Sequence, residues 1–113
     1  MDSIEQLKRI DFNDGRIERA ELLNDNVVIV FKNWQEQILR LRFSGVVYFK
    51  AFEFGGDDTW VQIASDTEEI REAIRVIEQN GENGESYPNL VQITFKGDAP
   101  KMIVVFQQFE NES

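Results

Sequence analysis

The sequence contains neither cysteine nor histidine. Without cysteine there are no disulfides, thiolate nucleophiles, cysteine zinc sites or iron–sulfur ligands. Without histidine the commonest general base, the usual triads and imidazole metal sites are excluded. Catalysis would have to rest on Asp, Glu, Lys, Arg, Tyr, Ser or Thr, and a metal would have to be a hard cation held by oxygen. A chain without cysteine suits any compartment but argues against a disulfide-stapled secreted module. Long apolar runs are missing too. Val27 to Phe31, unsurpassed in length by any other, is far short of a membrane span. The opening Met1-Asp2-Ser3-Ile4-Glu5 is polar at once and does not read as a secretion signal. A cytoplasmic location is the expectation.

Basic residues are scarce in the second half. The net charge is −9. Residues 1–56 contribute only −1, and residues 57–113 carry 4 basic against 12 acidic side chains. Nucleic acid and anionic membranes need clustered Lys and Arg, so neither is an expected partner. A cationic protein would be steered toward this half, although acidity also serves simple solubility. What remains is ordinary: 113 residues, 42% apolar and 29% charged, is the profile of one soluble domain spanning 1–113. Such a chain buries roughly two-thirds of its unfolded surface.

The chain has no repeat and no low-complexity tract. Ser3 with Gln6 has the form of a capping box, predicting a short helix over 3–9. Asn13-Asp14-Gly15 is a turn. Strands follow over 16–23, 27–32, 37–43 and 46–54, with Asn24-Asp25-Asn26 and Gly45 as punctuation. Thr59 to Ala64 adds another. Ser65 or Asp66 then caps a helix over 66–79 whose apolar stripe is Ile70, Ala73, Ile74 and Ile77, and Asn80-Gly81 closes it. Residues 80–89 read as a loop. A hairpin of 91–96 and 102–106 ends the fold, with 110–113 as a polar tail. The class is α+β. The expected architecture is one curved antiparallel sheet of six or seven strands, a meander plus a C-terminal hairpin, with one main helix packed on it. Curvature or dimerisation is needed to hide Phe49, Phe52, Phe54, Phe95, Phe106 and Phe109.

Several residue groups could carry chemistry. Gly55-Gly56-Asp57-Asp58 is similar over three positions to the Gly-Gly-Asp/Glu-Glu-Phe signature of diguanylate cyclases. Asp58 and Thr59 depart from that signature, and a glycine hairpin turn with solvated acids accounts for the stretch. Asp11, Asp14 and Glu18, or Asp57 and Asp58, could hold a hard cation but lack EF-hand spacing. Glu21 and Glu53 form a conceivable acid–base pair. Arg40 and Arg42 share a face and either bind an anion or pair with acids such as Glu18 and Glu21. Trp34 and Trp60 sit at loop or strand edges, as interface anchors or as caps on the core.

The meander from Asp14-Gly15-Arg16-Ile17-Glu18 through Val27–Phe31 to Leu39-Arg40-Leu41-Arg42-Phe43-Ser44-Gly45-Val46 resembles a pattern of small bacterial proteins. Some of these are immunity proteins of polymorphic-toxin and contact-dependent inhibition systems. The resemblance implies a small, acidic, non-catalytic cytoplasmic protein that binds one partner, and it carries over no functional residue. The leading expectation is therefore a non-enzymatic binding module for a basic protein. It needs no cofactor and no metal, and its contact residues would be Asp57, Asp58, Trp60, Glu68, Glu69 and Glu72. The alternatives are a homo-oligomer or ligand-binding protein with an aromatic interface or pocket, and a carboxylate-based metal enzyme.

Overall fold

The computed structural model describes residues 3–52, 56, 58–83, 87 and 89–113. Among these, the elements in order are α1 (Ser3–Lys8), β1 (Arg16–Leu23), β2 (Asn26–Lys32), β3 (Ile38–Ser44), β4 (Tyr48–Ala51), β5 (Trp60–Ala64), α2 (Glu68–Gln79), β6 (Val91–Lys96), β7 (Pro100–Phe106) and β8 (Gln108–Asn111). The α+β class and the antiparallel pairing hold. The expected single curved sheet of six or seven strands is instead two four-stranded sheets, ordered β1-β2-β3-β8 and β4-β7-β6-β5.

The division arises at a bend that two chain segments share. β3 passes into β4 through Gly45, and β7 passes into β8 through Gln107. Gln107 N donates to Ser44 O at 3.0 Å and Val47 N to Val105 O at 3.0 Å, so hydrogen bonding continues through the corner. Gly45 has φ +62° and lies so close to the Gln107 side chain that a Cβ would collide with it. Only glycine meets both conditions without strain. On the other side, Thr59 N donates to Gly15 O at 3.1 Å and draws the β1 and β5 edges together. Gly15 is needed there because a Cβ would stand 2.5 Å from the Phe31 ring.

Alternation along the strands fills the space between the sheets. Val27, Ile29 and Phe31 of β2 and Leu41 and Phe43 of β3 meet Val91, Ile93 and Phe95 of β6 and Met102, Val104 and Phe106 of β7. Phe43 and Phe106 pack edge-on at 4.8 Å, and Phe12 touches both Phe31 (5.2 Å) and Phe95 (5.8 Å). Leu7 of α1 enters the same core. Of the phenylalanines that had to be hidden, Phe95, Phe106 and Phe109 are buried, Phe49 packs against the core and Phe52 is exposed. Phe54 lies outside the described residues.

Three local expectations are corrected. The polar tail contributes β8, because Gln108–Asn111 hydrogen-bonds along β3 and buries Phe109. The long strand 46–54 is β4, Tyr48–Ala51, shortened at its start by the corner. Helix α2 is capped by Thr67 rather than Ser65 or Asp66. The Thr67 hydroxyl accepts from Ile70 N at 3.1 Å and donates to Gln92 Oε1 on β6 at 2.5 Å, which pins the helix start to the sheet. The far end closes as expected on Gly81 (φ +86°), with Glu82 N donating to Ile77 O and Gly81 N to Glu78 O.

Candidate interaction site

Helix α2 carries Glu68, Glu69 and Glu72 of the expected contact residues, and the structure engages Glu68 and Glu72 with its own arginines. Arg71 pairs with Asp66 (2.6 Å) and Glu68 (3.2 Å), and Arg75 with Glu68 (3.0 Å) and Glu72. Hydrogen bonds from Arg75 and then Arg71 hold the Glu68 carboxyl below its ordinary value, and Glu72 and Glu68 raise Arg75. Glu69 makes no ion pair among the described residues. The helix surface is a laced network with residual negative charge.

Asp58 and Trp60 lie elsewhere, at the start of β5 rather than on the helix that follows its end. Asp58 accepts a 2.9 Å hydrogen bond from Lys101, which holds its carboxyl below the ordinary value. Lys101 is buried and also donates to the Thr59 hydroxyl at 2.9 Å. This lysine therefore fastens β7 to the segment that carries the Gly15–Thr59 bridge. Sequence reasoning passed over it, although a lysine opening an apolar run (Lys101-Met102-Ile103-Val104-Val105-Phe106) was a visible signal. Asp57, Gly55 and Glu53 lie outside the described residues, and with them the motif-like turn and the Glu21–Glu53 pair.

The Gly15–Thr59 bridge defines one end of the molecule. Trp60 follows Thr59 directly, and Phe52 N donates to Lys101 O at 2.8 Å on the same end of β7. Gly15 packs on Phe31 and Lys32, so the β2–β3 connection bearing Trp34 emerges there, as does Ile38, the register partner of Lys32. Trp34 and Ile38 are each 55% exposed, Phe52 51% and Trp60 44%. Large apolar side chains are thus exposed at this end of both sheets, Trp34 and Ile38 on the first and Phe52 and Trp60 at opposite edges of the second.

The Trp34 loop is rigid by construction. The buried Asn33 side chain accepts from Gln35 N (3.0 Å) and Gln37 N (2.9 Å) and donates to Gln37 Oε1 (2.9 Å). The Trp34 indole N–H donates to Asp11 at 2.7 Å, and that bond lowers the Asp11 carboxyl below its ordinary value. Asp11 thus serves the tryptophan and does not join Asp14 and Glu18 in a cation site. Glu18 pairs with Arg16 at 3.0 Å. Among the described residues no group of three or more acids is placed to hold a metal ion. A hollow of about 260 Å³ beside Trp34 is lined by Asp14, Arg16, Lys32, Asn33 and Glu36.

Arg40 and Arg42 face acids, as one of the two readings had it. Arg40 lies 3.8 Å from Glu21, and both arginines reach Glu112, at 3.4 and 3.2 Å. Glu112 comes from the segment, 110–113, expected to be a polar tail. A larger cleft, about 620 Å³, lies between α1 and the β7–β8 bend, bordered by Leu90, Val91 and Phe109 and by uncharged polar groups such as Ser65 and Asn89. No helix among the described residues is long and apolar enough to cross a membrane. No family model, curated protein or solved structure matches the chain.

Proposed function

We propose that the chain is a non-enzymatic, cytoplasmic protein-binding module that engages a basic partner, in the manner of the immunity-type proteins its first half resembles. The observation that supports this reading most is the exposure of Trp34, Ile38, Phe52 and Trp60 at one end of the sandwich, across both sheets. Interfaces draw their energy from a few large anchors, chiefly Trp, held in place before binding. The net charge of −9 supplies long-range attraction for a basic protein.

Affinity capture from lysate of the source cells, read by mass spectrometry at low and raised salt, tests it. One dominant basic partner is expected. Capture should fall more than tenfold in a Trp34→Ala/Trp60→Ala variant and more weakly when Glu68, Glu69 and Glu72 are reversed to Lys. Undiminished capture by both variants would overturn the reading. A dimer in light scattering, dispersed by the tryptophan variant, would put a second copy in the partner's place.

A further inference from the structure

We propose that the hollow beside Trp34 seats one arginine or lysine side chain of the basic partner, with the indole face and the Asp14 and Glu36 carboxylates as its contacts. The proposal rests on the protein-binding reading above and names the group that this surface recognises.

The first argument is a contrast among the exposed aromatic rings. Lys50 stands over the Phe52 ring at 5.0 Å and Lys96 over the Trp60 ring at 5.3 Å. Each of those π faces already holds a cation of its own chain. Trp34 is the most exposed of the three, and among the described residues no cation stands over it. Tryptophan is the strongest aromatic acceptor for a cation, so the ring best suited to the contact is the one left open.

The second argument is local charge. Asp14 and Glu36 line the hollow with Arg16 and Lys32, Asp11 is bonded to the indole and Glu18 to Arg16. Arg16 is engaged by Glu18 at 3.0 Å, and Lys32 only approaches Glu36 at 3.9 Å, leaving that carboxylate 82% exposed. Asp14 makes no ion pair among the described residues. With Arg16 turned to Glu18 and Lys32 near Glu36, a guanidinium or ammonium entering the hollow would meet the indole beside the Asp14 and Glu36 carboxylates.

The third argument is pre-organisation. The Asn33 hydrogen bonds and the Asp11–indole bond fix the ring before anything binds, which removes an ordering cost from the encounter. The hollow, about 260 Å³, is the size of a side chain and too small for a drug-sized ligand.

The test follows the two indole N–H signals by NMR during titration with N-acetylarginine methylamide and N-acetyllysine methylamide. The uncharged norleucine and acidic glutamate analogues are the controls. Trp60, with Lys96 over its ring, is the internal reference. The expected result is a saturable shift of the Trp34 signal and of the 33–37 amides with the cationic probes alone. An Asp14→Asn/Glu36→Gln variant should weaken it by about threefold to fivefold, in keeping with an exposed charge contact. Asn tolerates the positive φ at residue 14, and an unchanged Trp60 signal confirms an intact fold. Equal response to norleucine, a larger shift at Trp60, or no saturable shift would overturn the seat. If lysate capture still depends on the tryptophans when the probes fail, only the seat is refuted. Capture undiminished both by the tryptophan variant and by reversal of Glu68, Glu69 and Glu72 refutes the binding reading itself.

Discussion

The outer faces of the two sheets solve the same problem with different materials. On the second sheet, α2 lays Ile70 and Ile74 against Val105 and Tyr48, an apolar seam of the usual helix-on-sheet kind. On the first sheet there is no helix, yet Val28 and Val30 of β2 face outward and are 0% and 6% exposed. Their cross-strand neighbours are Arg19 and Arg40 for Val30, and Glu21 and Arg42 for Val28. The aliphatic stems of these residues shield the valines while their charged heads pair at the surface, Arg19 with Glu21 at 3.0 Å and both strand-3 arginines with Glu112. The lesson is that a dense run of charge can be a lid on apolar surface. Most of the charge on the two faces is paired within the chain, while Trp34, Ile38, Phe52 and Trp60 stay largely exposed at the Gly15–Thr59 end.

The sharpest way to break the comparison is to empty the helix seam. Ile70→Ala should cost about 2–4 kcal/mol by urea denaturation, since the site is buried between α2, Leu90 and Val105. A loss under about 1 kcal/mol would mean that the helix rests lightly on the sheet. Lys101→Ala comes next, at about 2 kcal/mol, because it removes a buried stem and the tie to Thr59 and Asp58. The charged lid should respond more weakly and in a different manner. Glu112→Gln is expected to cost about 0.5 kcal/mol in low salt and less in 1 M NaCl, whereas the Ile70→Ala cost should persist in salt. A Glu112→Gln effect insensitive to salt would show that the residue acts through packing and not charge.

The smallest effect is a pH dependence. Asp11, Asp58 and Glu68 are more acidic folded than unfolded, with ordinary values of 3.8, 3.8 and 4.5. Their contribution is complete above those values and is lost as pH falls through the lowered folded ones. Stability should therefore be level from neutrality to about pH 5 and decline below it. Asp58→Asn and Glu68→Gln should each flatten the decline in melting temperature. An unchanged acid profile in both variants would place the acid sensitivity in other groups.

Much of the fold was legible because its signals are local. The alternation of Leu39, Leu41 and Phe43 against Arg40 and Arg42 marks β3 and its faces, and the structure buries the expected side. The Ile70-Ala73-Ile74 stripe and the Asn80-Gly81 stop mark α2. β8 was not legible, since Gln108-Phe109-Glu110-Asn111 has one apolar residue and owes its strand form to backbone pairing with β3. The candidate site was legible only in pieces. Trp34 and Trp60 stood out as edge tryptophans, but nothing in the spacing of residues 34, 38, 52 and 60 says that they share one end of the molecule.

The sequence by itself determined the strands β1–β3 and β5–β7, their apolar faces, where the main helix runs and which positions must turn. These follow from side-chain periodicity and from residues such as Asn24 and Gly81 that accept positive φ. Tertiary structure alone decided that the ladder breaks into two sheets at Gly45 and Gln107, that Glu112 returns to pair with Arg40 and Arg42, and that the β1 and β5 edges meet through Gly15 and Thr59. Backbone hydrogen bonds are the same for every residue type, so partners distant in sequence are chosen by the global packing of the core and leave little trace in any local pattern.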